Sequence, residues 1–195
     1  PVAILSGTAG NPVAETITRG NLEVLRKAPG VRVVGVVAHA HWIPDEALAS
    51  TARLLREHPD LAAILANNSA LARGALSALK RAGRAGRVYL AGADADLANC
   101  QFVAEGLQGM DVLKEIEPLA HGAAEVAVAL ARGRQPQIQV ADHRVVRQDS
   151  VPTLVLPVRP FDRQTLDEVV VQSGFHPRAA LFPTASPAPG GYSED

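Results

Sequence analysis

The sequence has 195 residues, of which 47% are hydrophobic and 20% charged, so it is long enough to bury the core of one or two domains. Its formal net charge of −1 at pH 7 excludes a global electrostatic attraction to nucleic acid or to anionic membranes. The apolar runs fall far short of the roughly 20 residues that a membrane-spanning helix needs, so no membrane span is predicted.

Short apolar segments alternate with amphipathic ones along the first half of the chain. This periodicity predicts strands that are each followed by a helix. We predict strands at Val2–Leu5, Val31–Val37, Leu61–Leu65 and Val88–Ala91. We predict helices at Val13–Arg26, Pro44–Glu57, Ala70–Arg81 and Asp96–Glu105. Repeated strand–helix units predict an α/β fold with a parallel sheet and helices on both faces.

The alternation weakens in the second half. Prolines within Val151–Val158 favour an edge strand or a connector over a central strand. Asp162 is suited to cap the helix that follows it. The other predicted elements are an extended segment at Met110–Ile116, helices at Pro118–Ala131 and Arg163–Gln172, strand-like pieces at Ile138–Val140 and Arg144–Val146, and a Pro/Gly-rich tail at 183–195.

The sequence contains no convincing catalytic motif. The stretch SGTAG after the first strand lacks the Lys-Ser/Thr pair of a P-loop, and an ordinary strand-to-helix turn also needs small residues. His39 and His41 alternate near Asp45, but they do not define a closed tetrahedral metal site. The single cysteine, Cys100, is typical of a small core residue. We therefore predict no enzyme activity, no cofactor and no metal site.

Polar or aromatic residues follow the predicted strands at their carboxyl ends. Because these ends meet at one edge of a parallel sheet, we expect the side chains to line a single cleft. Asn and Asp can bind sugar hydroxyls, and an aromatic ring can stack on a sugar. Each residue also has a structural alternative, namely a helix cap for Asn68 and Asp94, a half-buried core position for Trp42 and a solvated charge for Lys114. The candidate ligand-binding residues are Asn11, Trp42, Asn68, Asp94 and Lys114.

Several segments resemble the type I periplasmic sugar-binding proteins of ABC importers, and most of all the branch that binds D-xylose. They include LANNSALARGALSALKRAG, LAGADADLANCQFVAEGLQGMDVLKEI and AAEVAVALARG, and the resemblance covers about residues 1–182. It implies one α/β lobe of a protein that clamps a sugar between two lobes by hinge closure. It also implies that Trp42, Asn68, Asp94 and Lys114 contact the sugar and that Asn11 lies in a polar first loop.

The sequence departs from the pattern of this family around the predicted cleft. Each departure alters a polar group, and the loss of one hydroxyl-binding partner can change discrimination by orders of magnitude. The altered positions are Ser69 where members usually have Asp, Ala93 for Gln, Leu107-Gln108-Gly109-Met110 for Thr-Gln-Thr-Met, Leu113-Lys114-Glu115 for Tyr-Lys-Pro, and Arg73 for a small residue.

The resemblance further implies a division of the chain into four segments. These are the α/β core of the C-terminal lobe (1–113), a hinge crossing that packs on an N-terminal lobe (114–148), a return strand and helix (149–182) and the tail (183–195). The main body of the N-terminal lobe is not in this sequence. We therefore expect that lobe, or another protein chain, to cover the apolar segment 114–148.

The expected function is non-enzymatic. The resemblance implies periplasmic capture of a pentose-like, xylose-like monosaccharide and its delivery to the membrane subunits of an ABC transporter. The alternative is a degenerate lobe that serves as a non-enzymatic subunit or scaffold in a periplasmic protein assembly. The effector lobe of a sugar-responsive repressor has the same fold, but it would need a DNA-binding head that this sequence does not contain, so no nucleic acid partner is predicted.

Overall fold

The computed structural model describes residues 1–136, 144–148 and 151–182. The strand-like piece predicted at Ile138–Val140 and the tail at 183–195 lie outside the described residues. The strands are β1 (Val2–Ser6), β2 (Val33–Ala38), β3 (Ala63–Ala66), β4 (Tyr89–Ala91), β5 (Met110–Leu113), β6 (Arg144–Gln148), β7 (Val151–Val155) and β8 (Arg159–Asp162). The helices are α1 (Pro12–Leu25), α2 (Pro44–Glu57), α3 (Ser69–Arg81), α4 (Leu97–Glu105), α5 (Ile116–Ala131) and α6 (Arg178–Leu181), with a π-helical turn at Asp167–Val171.

A six-stranded sheet in the order β2-β1-β3-β4-β5-β8 forms the centre of the fold. Strands β1 to β5 run parallel, and β8 pairs antiparallel with β5 at one edge. All five residues of β1 are buried, as expected for a continuous apolar strand in the middle of a parallel sheet. This mostly parallel sheet, flanked by helices, confirms the predicted fold class.

Two apolar clusters hold the helices against the sheet. The first joins α2 and α3 to β1 and β3 through residues such as Leu54, Ile64 and Leu76. The helices α2 and α3 approach closely because Gly74 has no side chain, and a Cβ there would lie 2.1 Å from the carbonyl oxygen of Pro44. The second cluster contains Cys100, which is fully buried and confirms its predicted core role.

The second half of the chain differs from the sequence-based expectation in several elements. The helix predicted at Arg163–Gln172 is shorter than expected and of the π type, at Asp167–Val171. As predicted for a capping residue, Asp162 Oδ1 accepts hydrogen bonds from the N–H groups of Gln164 and Thr165, in the turn that precedes this helix. The edge strand or connector predicted at Val151–Val158 contains the edge strand β7, which pairs with β6 in a separate two-stranded sheet. Strand β8 and helix α6 were not predicted.

Helix α5 is the least covered element of the described structure. It is rich in apolar residues, yet Gly122 is its one buried residue. Ile116, Leu119 and Leu130 are 66%, 58% and 63% exposed. In residues 1–136, 144–148 and 151–182, every helix is too short or too polar to cross a lipid bilayer.

Candidate ligand-binding site

The five candidate residues all lie just beyond the carboxyl ends of the parallel strands. In the order of the strands across the sheet, from β2 to β5, they are Trp42, Asn11, Asn68, Asp94 and Lys114. This edge is where open parallel sheets hold their ligands. Within the described residues, the only hydrogen bond or ion pair among the five is between Asp94 and Lys114.

Trp42 is held in a strained position by groups that follow β1. Its φ of 57° lies in the left-handed region, which costs a bulky residue about 1–3 kcal/mol. The indole Nε1 donates a 2.9 Å hydrogen bond to Thr8 Oγ1, and Thr8 in turn donates to the carbonyl oxygen of Ala40. The ring lies directly against Gly7, and part of it packs on the first apolar cluster. The indole is therefore half-buried and fixed in orientation.

Asn11 and Asn68 both act as helix N-caps. Asn11 Oδ1 accepts hydrogen bonds from the backbone N–H groups of Val13 and Ala14, at 2.9 and 3.1 Å. Asn68 Oδ1 accepts one from the N–H of Leu71 at 2.9 Å. The capping alternative for Asn68 is thus confirmed. Across the described part of the chain, no hydrogen bond engages the Nδ2 group of Asn68, so this donor is free to bind a ligand.

Asp94 and Lys114 form an ion pair between Oδ1 and Nζ at the ends of β4 and β5. The side chains are 35% and 42% exposed, so the pair is accessible to solvent on one side. Asp94 has a φ of 103°, and its N–H donates to the carbonyl oxygen of Val112 at 2.9 Å. Asp94 does not cap a helix, because the N-cap of α4 is Asp96. The pair places an acceptor beside a donor with no net charge.

The two histidines near this edge point to separate partners. His39 is buried, and its ring nitrogens lie 2.9 Å from the carbonyl oxygen of Ser6 and 2.8 Å from Ser50 Oγ. His41 is exposed and contacts Glu46 at 2.6 Å, a bond that lowers the pKa of that carboxyl. In the described ranges, no group of three potential ligands is placed to hold a metal ion.

Residues 1–135 match the family model described as the periplasmic binding protein domain. The chain belongs to this family. That membership confirms the resemblance found in the sequence.

The curated relatives are sugar-binding proteins. The D-xylose-binding periplasmic protein of Escherichia coli (strain K12) is 32% identical over 179 residues, which cover 88% of this chain and 54% of that protein. The D-ribose/D-allose-binding protein of Pseudomonas aeruginosa is 32% identical over 140 residues, or 70% of this chain and 42% of that protein. The chain therefore spans about half the length of the curated relatives it matches.

Solved structures of binding proteins also align with this chain over little more than half of their own length. A periplasmic solute binding protein of an ABC transporter from Actinobacillus succinogenes, with bound D-allose, has a TM-score of 0.70 at 25% identity and covers 86% of this chain and 54% of its own. A solute binding protein from Clostridium phytofermentans with bound β-D-glucose has a TM-score of 0.76 at 22% identity, covering 92% and 60%. At that identity the second match supports the fold alone.

Two departures from the family pattern have structural partners in this binding-protein domain. Arg73 lies 2.5 Å from Asp96 Oδ2 and 3.3 Å from Asn99 Oδ1, so its guanidinium is held between α3 and α4. Ser69 is fully buried, and its Oγ accepts a hydrogen bond from the N–H of Asp96 at 3.2 Å. Both side chains support the loop that carries Asp94.

The sequence reasoning missed two buried polar residues behind the edge. Asn67 donates to the carbonyl oxygen of Ala14 and to Thr18 Oγ1, both at 3.0 Å, and thereby ties α1 to β3. Asp111 is completely buried on β5, on the same face as Leu113. The signal for Asp111 was present in the sequence, because a carboxylate on the buried face of a strand is rare without a specific partner.

Burial raises the pKa of Asp111 to about 6. The hydrogen bonds that its carboxylate accepts oppose this change, and the nearby charge of Asp94 adds to it. Burial likewise raises the pKa of the Cys100 thiol to about 12, so this cysteine is not a nucleophile at neutral pH.

Proposed function

We propose that this chain forms one wall of the sugar site in a periplasmic solute-binding protein that serves an ABC transporter. The observation that carries the proposal is the row of Trp42, Asn11, Asn68, Asp94 and Lys114 along the ligand-binding edge of the sheet. The names of the curated relatives, which refer to D-xylose, D-ribose and D-allose, support a monosaccharide ligand. They favour sugar capture over the alternative of a degenerate scaffold lobe.

The chemistry of this row suits a neutral, hydroxyl-rich molecule. The Asp94 carboxylate accepts from a hydroxyl, while the Lys114 ammonium donates to a neighbouring hydroxyl or ring oxygen. Because the two charges compensate each other, the site has no net attraction for an anion or a cation. The Nδ2 of Asn68 supplies a further donor. The half-buried indole of Trp42 offers a flat apolar surface for the C–H face of the sugar.

The proposed ligand is a pentose-like, xylose-like monosaccharide. In this assignment Trp42 stacks on the ring, Asn68 and Asp94 bind hydroxyls, and Lys114 binds a ring or hydroxyl oxygen. Asn11 contributes through the loop after β1, although its Oδ1 is already used as a helix cap. No residue is assigned a catalytic role, in keeping with relatives that are named as binding proteins.

The second wall of the site is proposed to come from outside this chain. Sites for small ligands bury most of the ligand surface, and the edge of a single sheet cannot do this alone. The exposed apolar residues of α5 support the proposal that segment 114–148 packs on an N-terminal lobe. Residues 1–113 and 149–182 then form the lobe described here. The proposed location is the periplasm, and the proposed further partners are the membrane subunits of the transporter.

Isothermal titration calorimetry of the complete polypeptide with D-xylose, D-ribose, L-arabinose and D-allose tests the proposal. We expect saturable heat with at least one of these sugars. Asp94→Asn should lower the affinity for that sugar by about tenfold or more, because a charged acceptor then becomes a neutral amide. Asp60→Asn is the matched control, since Asp60 also forms an ion pair, with Arg32 at 3.6 Å, but precedes β3 at the opposite end of the sheet. Absence of heat with all four sugars, or equal effects of the two variants, would contradict the proposal.

A further inference from the structure

A row of buried polar side chains lies beneath the turn that carries Asp94. Asn99, Gln108 and Asp111 are each at most 1% exposed. Asn99 Nδ2 donates to Gln108 Oε1 at 2.9 Å, and Gln108 Nε2 donates to Asp111 Oδ2 at 2.7 Å. Burying a carboxylate costs free energy that an apolar side chain would not cost, so its presence here calls for a specific reason.

The Asp111 carboxylate holds a strained backbone turn. Asp94 and Ala95 have φ values of 103° and 57°, both in the left-handed region that favours glycine. Asp111 Oδ1 accepts hydrogen bonds from the N–H of Ala95 at 3.0 Å and from the N–H of Val112 at 2.8 Å. On the other side of the turn, the carbonyl oxygen of Ala95 lies 2.8 Å from His176 Nε2. The conformation of the turn is thus fixed by side chains from elsewhere in the chain.

The start of the same turn is shaped to admit this carboxylate. A Cβ atom on Gly92 would lie 2.6 Å from Asp111 Oδ2 and 3.0 Å from Gln108 Nε2. The φ of Gly92 is outside the left-handed region, so space and not backbone freedom explains the glycine.

The buried row also reaches the other candidate ligand-binding residues. Asn99 Nδ2 donates to the carbonyl oxygen of Ser69 at 3.1 Å, next to Asn68 at the start of α3. At its opposite end, Asp111 lies on β5, which ends one residue before Lys114. The buried row thus contacts the backbone beside Asn68 and the turn of Asp94, and Asp94 in turn pairs with Lys114.

We propose that Asp111 is a positioning residue for ligand binding, which sets the Asp94–Ala95 turn and thereby aims the Asp94 carboxylate at the ligand. This inference rests on the proposed function, because Asp111 itself is too deeply buried to contact a sugar. The raised pKa of Asp111 agrees with a group that is retained despite its burial.

The test compares Asp111→Ala and Asp111→Asn in the complete polypeptide. Alanine removes the acceptor for the Ala95 N–H. Asparagine keeps an Oδ1 in the same place, but its Nδ2 then faces the donor Gln108 Nε2, which lies 2.7 Å from Asp111 Oδ2. Leu79→Ala is the matched control, because it removes a fully buried core side chain of α3 far from the turn and destabilises the fold by a different route. Two quantities are measured, namely the Kd for D-xylose, D-ribose and D-allose by calorimetry and the exchange rate of the Ala95 amide by NMR.

We expect Asp111→Ala to raise the Kd about tenfold or more and to speed Ala95 exchange by a similar factor. Asp111→Asn should change both quantities in the same direction but by less, because it keeps an acceptor for the Ala95 N–H while losing the hydrogen bond from Gln108. Leu79→Ala should leave the Kd within about threefold despite its lower stability. An unchanged Kd and exchange rate in Asp111→Ala, or an equal rise in Kd in Leu79→Ala, would overturn the inference. If Asp111→Ala does not fold, Asp111→Asn decides: a tenfold rise in Kd without faster Ala95 exchange would overturn the inference, because the turn would still be held while binding is lost.

The two proposals fail in different ways. If the unsubstituted protein binds neither these three sugars nor L-arabinose, the proposed function is wrong, and the exchange rate of Ala95 still reports whether Asp111 holds the turn. If the protein binds a sugar and Asp111→Ala binds it equally well, the proposed function stands and the positioning role is wrong.

Discussion

The contact between Trp42 and Gly7 allows the indole to be displaced without changing it. A Cβ atom on Gly7 would lie 1.9 Å from Cζ2 and 2.1 Å from Cε2 of the ring. Carbon atoms pack at about 3.5–4.0 Å, so Gly7→Ala must move the ring by roughly 1.6 Å or more. This movement breaks the hydrogen bond between Nε1 and Thr8 Oγ1, which is 2.9 Å long.

The expected effects on stability and on binding have different causes. Loss of the hydrogen bond to Thr8 costs about 1 kcal/mol. Replacement of glycine by alanine returns about 0.4–1 kcal/mol by reducing the entropy of the unfolded chain. Displacement of the ring also disturbs its packing on the first apolar cluster, so the free energy of unfolding should fall by about 1–3 kcal/mol in total. Sugar affinity should fall about tenfold, because the ring no longer presents its face at the sheet edge.

Fluorescence measures this displacement directly, because Trp42 is the one tryptophan in the sequence. Emission of the Gly7→Ala protein should shift to longer wavelength, as the indole becomes more exposed to water. Calorimetry with the sugar that binds the unsubstituted protein gives the change in Kd, and urea unfolding gives the change in stability.

Gly20→Ala provides the control for these measurements. Gly20 lies in α1, and an added Cβ there meets no atom within 4 Å. This variant should leave emission and affinity unchanged. If Gly7→Ala displaces the indole, as judged by the emission shift, and affinity is nevertheless unchanged, Trp42 does not stack on the ligand. An unchanged emission spectrum would show that the packing argument itself is wrong.

Three further predictions concern stability and pH. Gly74→Ala should lower the free energy of unfolding by about 1–3 kcal/mol in urea titrations, because its Cβ would meet the backbone of Pro44, whereas Gly20→Ala should raise it by up to about 1 kcal/mol. Thr51→Val should leave the melting temperature unchanged or raise it, since the buried Oγ1 of Thr51 has no hydrogen-bond partner in the described residues; a large loss would reveal a partner. The pKa of Asp111 rises from its ordinary 3.8 to about 6, so the folded protein holds this proton more tightly than the unfolded chain does. The resulting stabilisation of the fold, about 3 kcal/mol, is fully present below pH 3.8 and is lost as the pH rises through 6 and the buried carboxyl ionises. Asp111→Asn should therefore gain stability relative to the unsubstituted protein between pH 4 and pH 7, and a constant difference across that range would contradict the assigned burial effect.

The strand–helix order of the first half of the chain could be predicted because its signals are local. Helix α2 begins and ends where the sequence predicted, with Pro44 in its first turn. Helix α4 ends at Gly106, which adopts a φ of 76°. In the second half, β8 exists through its pairing with β5, and a four-residue segment with a proline gives no periodic signal of that pairing.

For the candidate site, the sequence likewise predicted positions along the chain but not the contacts between side chains. The positions of Asn68, Asp94 and Lys114 after strands could be predicted, because a parallel sheet brings the carboxyl ends of its strands together. Their contacts could not be predicted. The ion pair of Asp94 with Lys114 and the hydrogen bond from Ala95 to Asp111 join groups that only the folded sheet places side by side.

The sequence by itself thus determined the α/β class, the family and the edge of the sheet where the candidate residues lie, since hydrophobic periodicity and short motifs are properties of neighbouring residues. Only the tertiary structure decided that Trp42 lies against Gly7 and that a buried carboxylate supports the Asp94 turn. The reason is that these contacts join Trp42 to Thr8 and Ala95 to Asp111, residues 34 and 16 positions apart, and their energies depend on burial that no local pattern specifies.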